Sequence, residues 1–164
     1  MAEFKTNVMR ILDRKKIAYT PHEYEHSGDA VDGITAAARM GQPPEKVFKT
    51  LVTLGASKNY RVFVIPVEKE LDLKKAARAA GEKSVAMIHV AEINAATGYI
   101  RGGCSPIGMK KQYATAIDQS AEALSTMIVS AGRIGSQIEI APADLCAVVR
   151  GKFADLTKEG NEER

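Results

Sequence analysis

VFKTLVTLGASKNYRVFVIPV, residues 47–67, consists of two runs of β-branched, aliphatic and aromatic residues separated by GASKN. Such residues fit a pleated, half-buried surface, and a short Gly-containing connection between two such runs signals a β-hairpin. Three further strand candidates, YATAID, TMIVSAG and SQIEIAP, lie close together downstream. The strands therefore gather in hairpins instead of alternating regularly with helices, which favours an α+β fold with a mixed sheet over a doubly wound parallel one.

Working outward from the hairpin, residues 5–15 carry Val8, Ile11 and Leu12 at helical spacing before the basic end Arg14-Lys15-Lys16, which suits a helix C-terminus. IAYTPHEYEH is rich in β-formers and holds Pro21, so an extended edge segment is expected. GITAAARMG predicts a helix stopped by Gly41, and LDLKKAARAAG one capped by Asp72 and stopped by Gly81. SVAMIHV is a short apolar piece, AEINAATG a compact helix ended by Gly98, and YIRGGCSPIG a punctuated loop. Pro142 opens a last helix, PADLCAVVR, and the polar tail from Thr157 is expected to fray. No repeat or linker interrupts residues 1–164, so one domain is expected.

Composition narrows the function classes. The 164 residues are 45% hydrophobic and 26% charged, as in a soluble globular protein. No apolar run approaches the ~18 residues of a membrane span, and the N-terminus has no signal-peptide pattern, so a cytoplasmic setting is expected. Two cysteines, Cys104 and Cys146, are too few for a disulfide scaffold. A net charge of +3 permits an anionic partner but is weaker than that of a dedicated nucleic-acid binder.

Within the opening stretch, Lys49 breaks the pattern. Alternation places Val47, Lys49, Leu51 and Thr53 on one face and Phe48, Thr50, Val52 and Leu54 on the other. Either the lysine stem packs beside Val47 and Leu51 while the ammonium reaches water, or the ammonium is held in a cleft for an anionic or carbonyl-bearing ligand. Elsewhere, His22 and His26 of HEYEH suggest a metal site, but on an extended chain they stand ~13 Å apart, too far to share an ion. No metal or cofactor is expected. In that strand His22, Tyr24 and His26 share a face, either as a half-exposed edge or as a polar wall with a tyrosine hydroxyl in a cleft.

RGGCSPIG pairs Gly102 and Gly103 ahead of Cys104, Ser105 and Pro106. Adjacent glycines make a turn, or let backbone N–H groups approach an anion or oxyanion. A Cys104 nucleophile with His89 or His22 as base has no support from spacing, and Ser105 lacks a nucleophile elbow. Ser130 falls at a strand end before Gly132 and Gly135. Lys74-Lys75 with Arg78, and Lys110-Lys111, are solvated faces or phosphate contacts.

VFKTLV, LDLKKAARAAG, TGYIRGGCSPIGMKK, IVSAGRIG and KFADL occur together in an order and spacing that resembles the YbaK family. These are free-standing aminoacyl-tRNA deacylases related to the editing domain inserted in bacterial prolyl-tRNA synthetases. The resemblance runs from Val8 to Leu156. It implies a compact α+β domain with a curved, barrel-like mixed sheet, and a pocket for the charged 3′-terminal adenosine. It implies hydrolysis of cysteine mischarged onto tRNA(Pro), assisted by the substrate's own thiol, with prolyl-tRNA synthetase as a partner. The family's lysine falls on Lys49, beside Thr50; its tyrosine on Tyr24; its loop on Gly102, Gly103, Ser105, Pro106 and Gly108; and its strand-end serine on Ser130. Implied roles follow. Lys49 meets the terminal phosphate or ribose and the charge developing on the ester. N–H groups at Gly102 and Gly103 receive the oxyanion, and Tyr24 and Ser130 place the aminoacyl end. The chain departs from the family at Gln137, where an acidic residue is common, and over residues 29–33, which lack an aromatic. A deacylase for alanine or another small residue, and a non-catalytic module that binds tRNA or the synthetase, are the alternatives.

Overall fold

The computed structural model describes residues 5–159. Two sheets organise it. β1 (Thr20–Glu23), β7 (Ser136–Ile140) and β6 (Met127–Arg133) form an antiparallel sheet in that order. A five-stranded mixed sheet runs β4 (Val85–Met87), β2 (Phe48–Gly55), β3 (Tyr60–Pro66), β5 (Ala114–Asp118), β8 (Lys152–Ala154). The hairpin of the opening stretch is present, with Phe48 opposite Pro66 and Leu54 opposite Tyr60. Its neighbours were not legible: β5 joins β3 in parallel, and the three-residue β8 joins β5 in parallel.

The curved, barrel-like sheet expected from the resemblance takes the form of these two sheets, which do not close into a barrel. Outside the named strands a single parallel bridge among the described residues, Val47 to Ile128, couples them. Each sheet contributes one face to a shared core, with Phe48, Val64 and Ile117 from one and Met127, Val129, Ile138 and Ile140 from the other. α1 (Asn7–Arg14) adds Val8 and Leu12, and α5 (Pro142–Val148) adds Leu145. α3 (Leu73–Ala80) covers the opposite face of the larger sheet through Ala76 and Ala77 against Phe63 and Ile65. Burial on both sides is why β3 reads as a continuous apolar run. A third small cluster, Ala37, Val47, Val67 and Ile128, seats α2 (Gly33–Met40) at the joint between the sheets.

The helix signals act where the sequence places them. Asp72 accepts from the N–H groups of Lys74 and Lys75, each at 3.0 Å, and Asp32 caps α2 through the Thr35 N–H at 2.9 Å. Gly41, Gly81 and Gly98 end α2, α3 and α4 (Val90–Thr97) in the left-handed conformation. The tail expected to fray from Thr157 is paired at its start: Thr157 bridges Leu71, and the Lys158 N–H donates to the Glu70 carbonyl at 3.0 Å. The stretch before α3 offers free backbone groups there. Residues 160–164, the rest of that expectation, lie outside the described residues. Among the described residues no helix is long and apolar enough to cross a membrane.

Candidate active site

A cleft of about 110 Å³ opens at the joint between the sheets. The larger sheet supplies Lys49 and Thr50, the smaller supplies Ser130 and Gln137, and Tyr24 follows β1; Gly102 and Cys104 come from the loop after α4. Tyr24, Lys49, Thr50, Gly102 and Ser130, all expected at the site, are thereby brought together. Among the described residues, no aspartate or glutamate lines this cleft.

Lys49 is half-buried at the start of β2, and no ion pair or hydrogen bond to its ammonium is formed among the described residues. Burial lowers its pKa, and the Glu70 charge opposes that only in part. The Glu70 carboxylate is itself bound to Lys158 at 3.1 Å. The Thr50 hydroxyl and the Gln137 Oε1 are buried in the cleft wall without partners among the described residues. Buried polar atoms are nearly always satisfied, so two orphans beside an unpaired cation mark a place prepared for a polar ligand. Ser130 pairs with Gln137 across the sheet, and its Oγ accepts from the Gly132 N–H at 3.1 Å, fixing its direction. Tyr24 is 7% exposed, tied to Gly135 O through its own N–H at 3.0 Å and edge-on to His26.

The loop divides its duties. Residues Ile100 to Gly103 form a turn closed by the Gly103 N–H on Ile100 O at 2.9 Å, with Gly102 at φ +86°. The Gly103 N–H is thus occupied, while that of Gly102 has no partner among the described residues. A Cβ at Gly103 would lie 2.9 Å from the Arg133 Cα, so this glycine lets the loop press against the β6–β7 turn. Ser105 and Pro106 are buried and do not line the cleft; the Ser105 Oγ accepts from the Ile107 N–H at 3.2 Å and shapes the loop from within.

Cys104 does line the cleft, but burial pushes its thiol up to about 11, which keeps it protonated. Neither His22 nor His89 joins it there; His22 is held by the Glu139 carboxylate at 2.7 Å and His89 starts α4. No group of three potential metal ligands occurs among the described residues. Gln137, marked in the sequence only as a departure from the family, is a wall residue, and sequence reasoning missed Gly33, whose added Cβ would fall 2.3 Å from Val67. The β6–β7 register carried the first signal. Close approach of α2 to Val67 left no trace in the sequence.

The family model for the aminoacyl-tRNA editing domain matches residues 29–148. Over 153 residues the chain is 46% identical to a protein of Enterococcus faecalis (strain ATCC 700802 / V583) called "Putative Cys-tRNA(Pro)/Cys-tRNA(Cys) deacylase EbsC", covering 93% of each. Two solved structures share the fold at 21% identity. One is described as a "putative trans-editing enzyme for prolyl tRNA synthetase", with a TM-score of 0.79 over 96% of this chain and 100% of that one. The other is the hypothetical protein APE2540, with a TM-score of 0.83 over 93% and 100%. Fold, cleft and sequence agree: the chain belongs to the aminoacyl-tRNA editing domain family.

Proposed function

We propose that the protein is a trans-editing hydrolase that deacylates cysteine mischarged onto tRNA(Pro). The observation that carries this reading is the carboxylate-free cleft with an unpaired lysine and no nucleophile–base pair. Such a site receives an anionic or carbonyl-bearing ligand and stabilises negative charge, but brings no strong nucleophile of its own. A 3′-cysteinyl ester supplies the missing part. Its thiol sulfur bonds to the ester carbonyl carbon, the carbon–oxygen bond to the ribose breaks, and the thiol proton ends on the ribose oxygen. Water then opens the cyclic thioester to free cysteine.

In this scheme the Lys49 ammonium faces the terminal phosphate or ribose and the charge on the ester. The Gly102 N–H is the oxyanion donor, since that of Gly103 closes the turn. Thr50, Ser130, Gln137 and Tyr24 orient the aminoacyl group, and Ser105 and Pro106 support the loop that carries Gly102. The setting is the cytoplasm, and prolyl-tRNA synthetase is the partner that confers tRNA preference.

Deacylation of a panel of aminoacyl-tRNAs, with and without that synthetase, tests the reading. Cysteinyl-tRNA(Pro) turns over, and the seryl counterpart falls away sharply, because a hydroxyl is the weaker nucleophile. Equal turnover of alanyl-tRNA would transfer the activity to a water-using deacylase, and tRNA binding without turnover would leave a binding module.

A further inference from the structure

A second concave surface lies at the far end of the hairpin that carries Lys49. It is a groove of about 400 Å³, lined by the β2–β3 turn and the chain entering β5. Lys58, Arg61 and Lys111 bring three cations to it, and among the described residues no carboxylate lines it. Arg61 is neutralised by Glu82, 2.7 Å away, which is also held by Ser57; Lys58 and Lys111 are exposed and form no ion pair among the described residues. The floor is aromatic: Tyr60 and Tyr113 pack edge to face with centroids 5.4 Å apart, and the Tyr113 hydroxyl donates to Ala96 O, which fixes that ring. Arg150 is exposed on the flank, where the side-chain amide of Gln112 donates to Val149 O. The mild overall charge therefore hides a local concentration.

We propose that this groove is a second anchor for RNA, holding backbone phosphates of the strand whose 3′ end enters the cleft. The proposal rests on the deacylase reading for what fills the cleft. Spacing supports it. Lys49 pairs with Ile65, four residues from Arg61 along β3 and six from Gly55 at the turn. At ~3.3 Å per residue the groove begins ~13 Å and extends ~20 Å from the lysine. A stacked strand rises ~3.4 Å per nucleotide, so phosphates about four to six nucleotides from the terminal adenosine fall there. Charge supports it too. An open groove of about 780 Å³ adjoins the cleft at Val31, but Glu25, Asp29 and Asp32 line it against Arg39 alone among the strong bases. That surface repels a phosphate backbone, whereas the Lys58–Lys111 groove attracts one and offers aromatic faces to its sugars and bases.

The test is the double variant Lys58→Ala/Lys111→Ala against wild type, with cysteinyl-tRNA and with 3′-cysteinyl-adenosine, a substrate too short to reach the groove. KM for the tRNA rises with kcat unchanged, and hydrolysis of the short substrate is unaffected. Loss of two phosphate contacts lowers the log–log salt slope of tRNA binding by about 1.4 to 1.8, an about ten-fold smaller fall in affinity between 50 and 200 mM salt. An unchanged KM and salt slope overturns the anchor and leaves the groove to an acidic protein surface. Equal loss on the short substrate overturns it as well, since the change then reaches the cleft itself. If wild type hydrolyses neither substrate, the deacylase reading fails, and anisotropy with uncharged tRNA still decides the groove by the same salt slope.

Discussion

At the scale of single residues, Lys49 repays its oddity. Its place on an apolar face was legible from alternation, and the structure gives it partial burial, a lowered pKa and no ion pair among the described residues, the Glu70 charge opposing the shift only in part. Lys49→Ala is expected to cut kcat/KM on cysteinyl-tRNA by about 10² or more, the scale seen when one charge-stabilising donor is removed. Cys104→Ala, at a thiol pushed up to about 11, is expected to change it less than about threefold. Single-turnover deacylation checks both, and a folded but inactive Cys104→Ala would sink the substrate-assisted scheme. Gly102→Ala is a different lesion: its φ of +86° and an added Cβ 2.9 Å from that of Ala30 force the turn to shift. A left-handed alanine costs ~1–2 kcal/mol before any clash, so Tm and activity should fall together. Gln137 shows what residue types alone cannot reveal. Only the pairing of β7 with β6 turns its amide toward Ser130 and the cleft.

Among elements, the caps and the hairpin could be read locally because their chemistry is local. The parallel additions β5 and β8 could not, since their partners arrive from distant sequence. One side chain ties several elements together. The Glu139 carboxylate on β7 accepts from Lys46 at 2.7 Å, from Thr126, and from His22 on β1. These contacts, with Lys46 first, then Thr126 and His22, hold its pKa at about 2 against an ordinary 4.5. A depressed carboxylate stabilises the fold above its unfolded pKa and loses that contribution as pH falls through the folded one. Glu139→Gln is therefore expected to destabilise the protein at pH 7 by about 3 kcal/mol, and to flatten the stability profile between pH 4.5 and about 2. Urea unfolding at several pH values measures this; equal profiles would refute it. Asp72→Ala, which strips the N-cap of α3, should cost ~1 kcal/mol without changing kcat, because no residue of α3 lines the cleft.

The whole molecule is two sheets around a shared core, with smaller clusters under α3 and α2, and the α+β class expected from clustered strands is what stands there. The division into two sheets was not legible, because the strand after GASKN and the strand after Ser125 give no local sign of belonging to separate sheets. Nor did the net charge of +3 foretell that the groove at Lys58 and Lys111 would be free of carboxylates. At this scale the synthetase should sharpen the choice of tRNA without altering hydrolysis of 3′-cysteinyl-adenosine. A synthetase effect on the small substrate would instead place its action at the cleft.

The Val47–Ile128 bridge has a consequence for how such a site can change over time. Lys49 and Thr50 ride on one sheet, Ser130 and Gln137 on the other, and Val47 and Ile128 pack with Ala37 and Val67 under α2. The aperture between these walls is thus a collective property of the joint, as the gap of a caliper belongs to its pivot. Adding or removing a methyl group at Ile128, which does not line the cleft, resets the jaw without touching a substrate contact. Substrate size can then drift through apolar residues that no inventory of site residues would include.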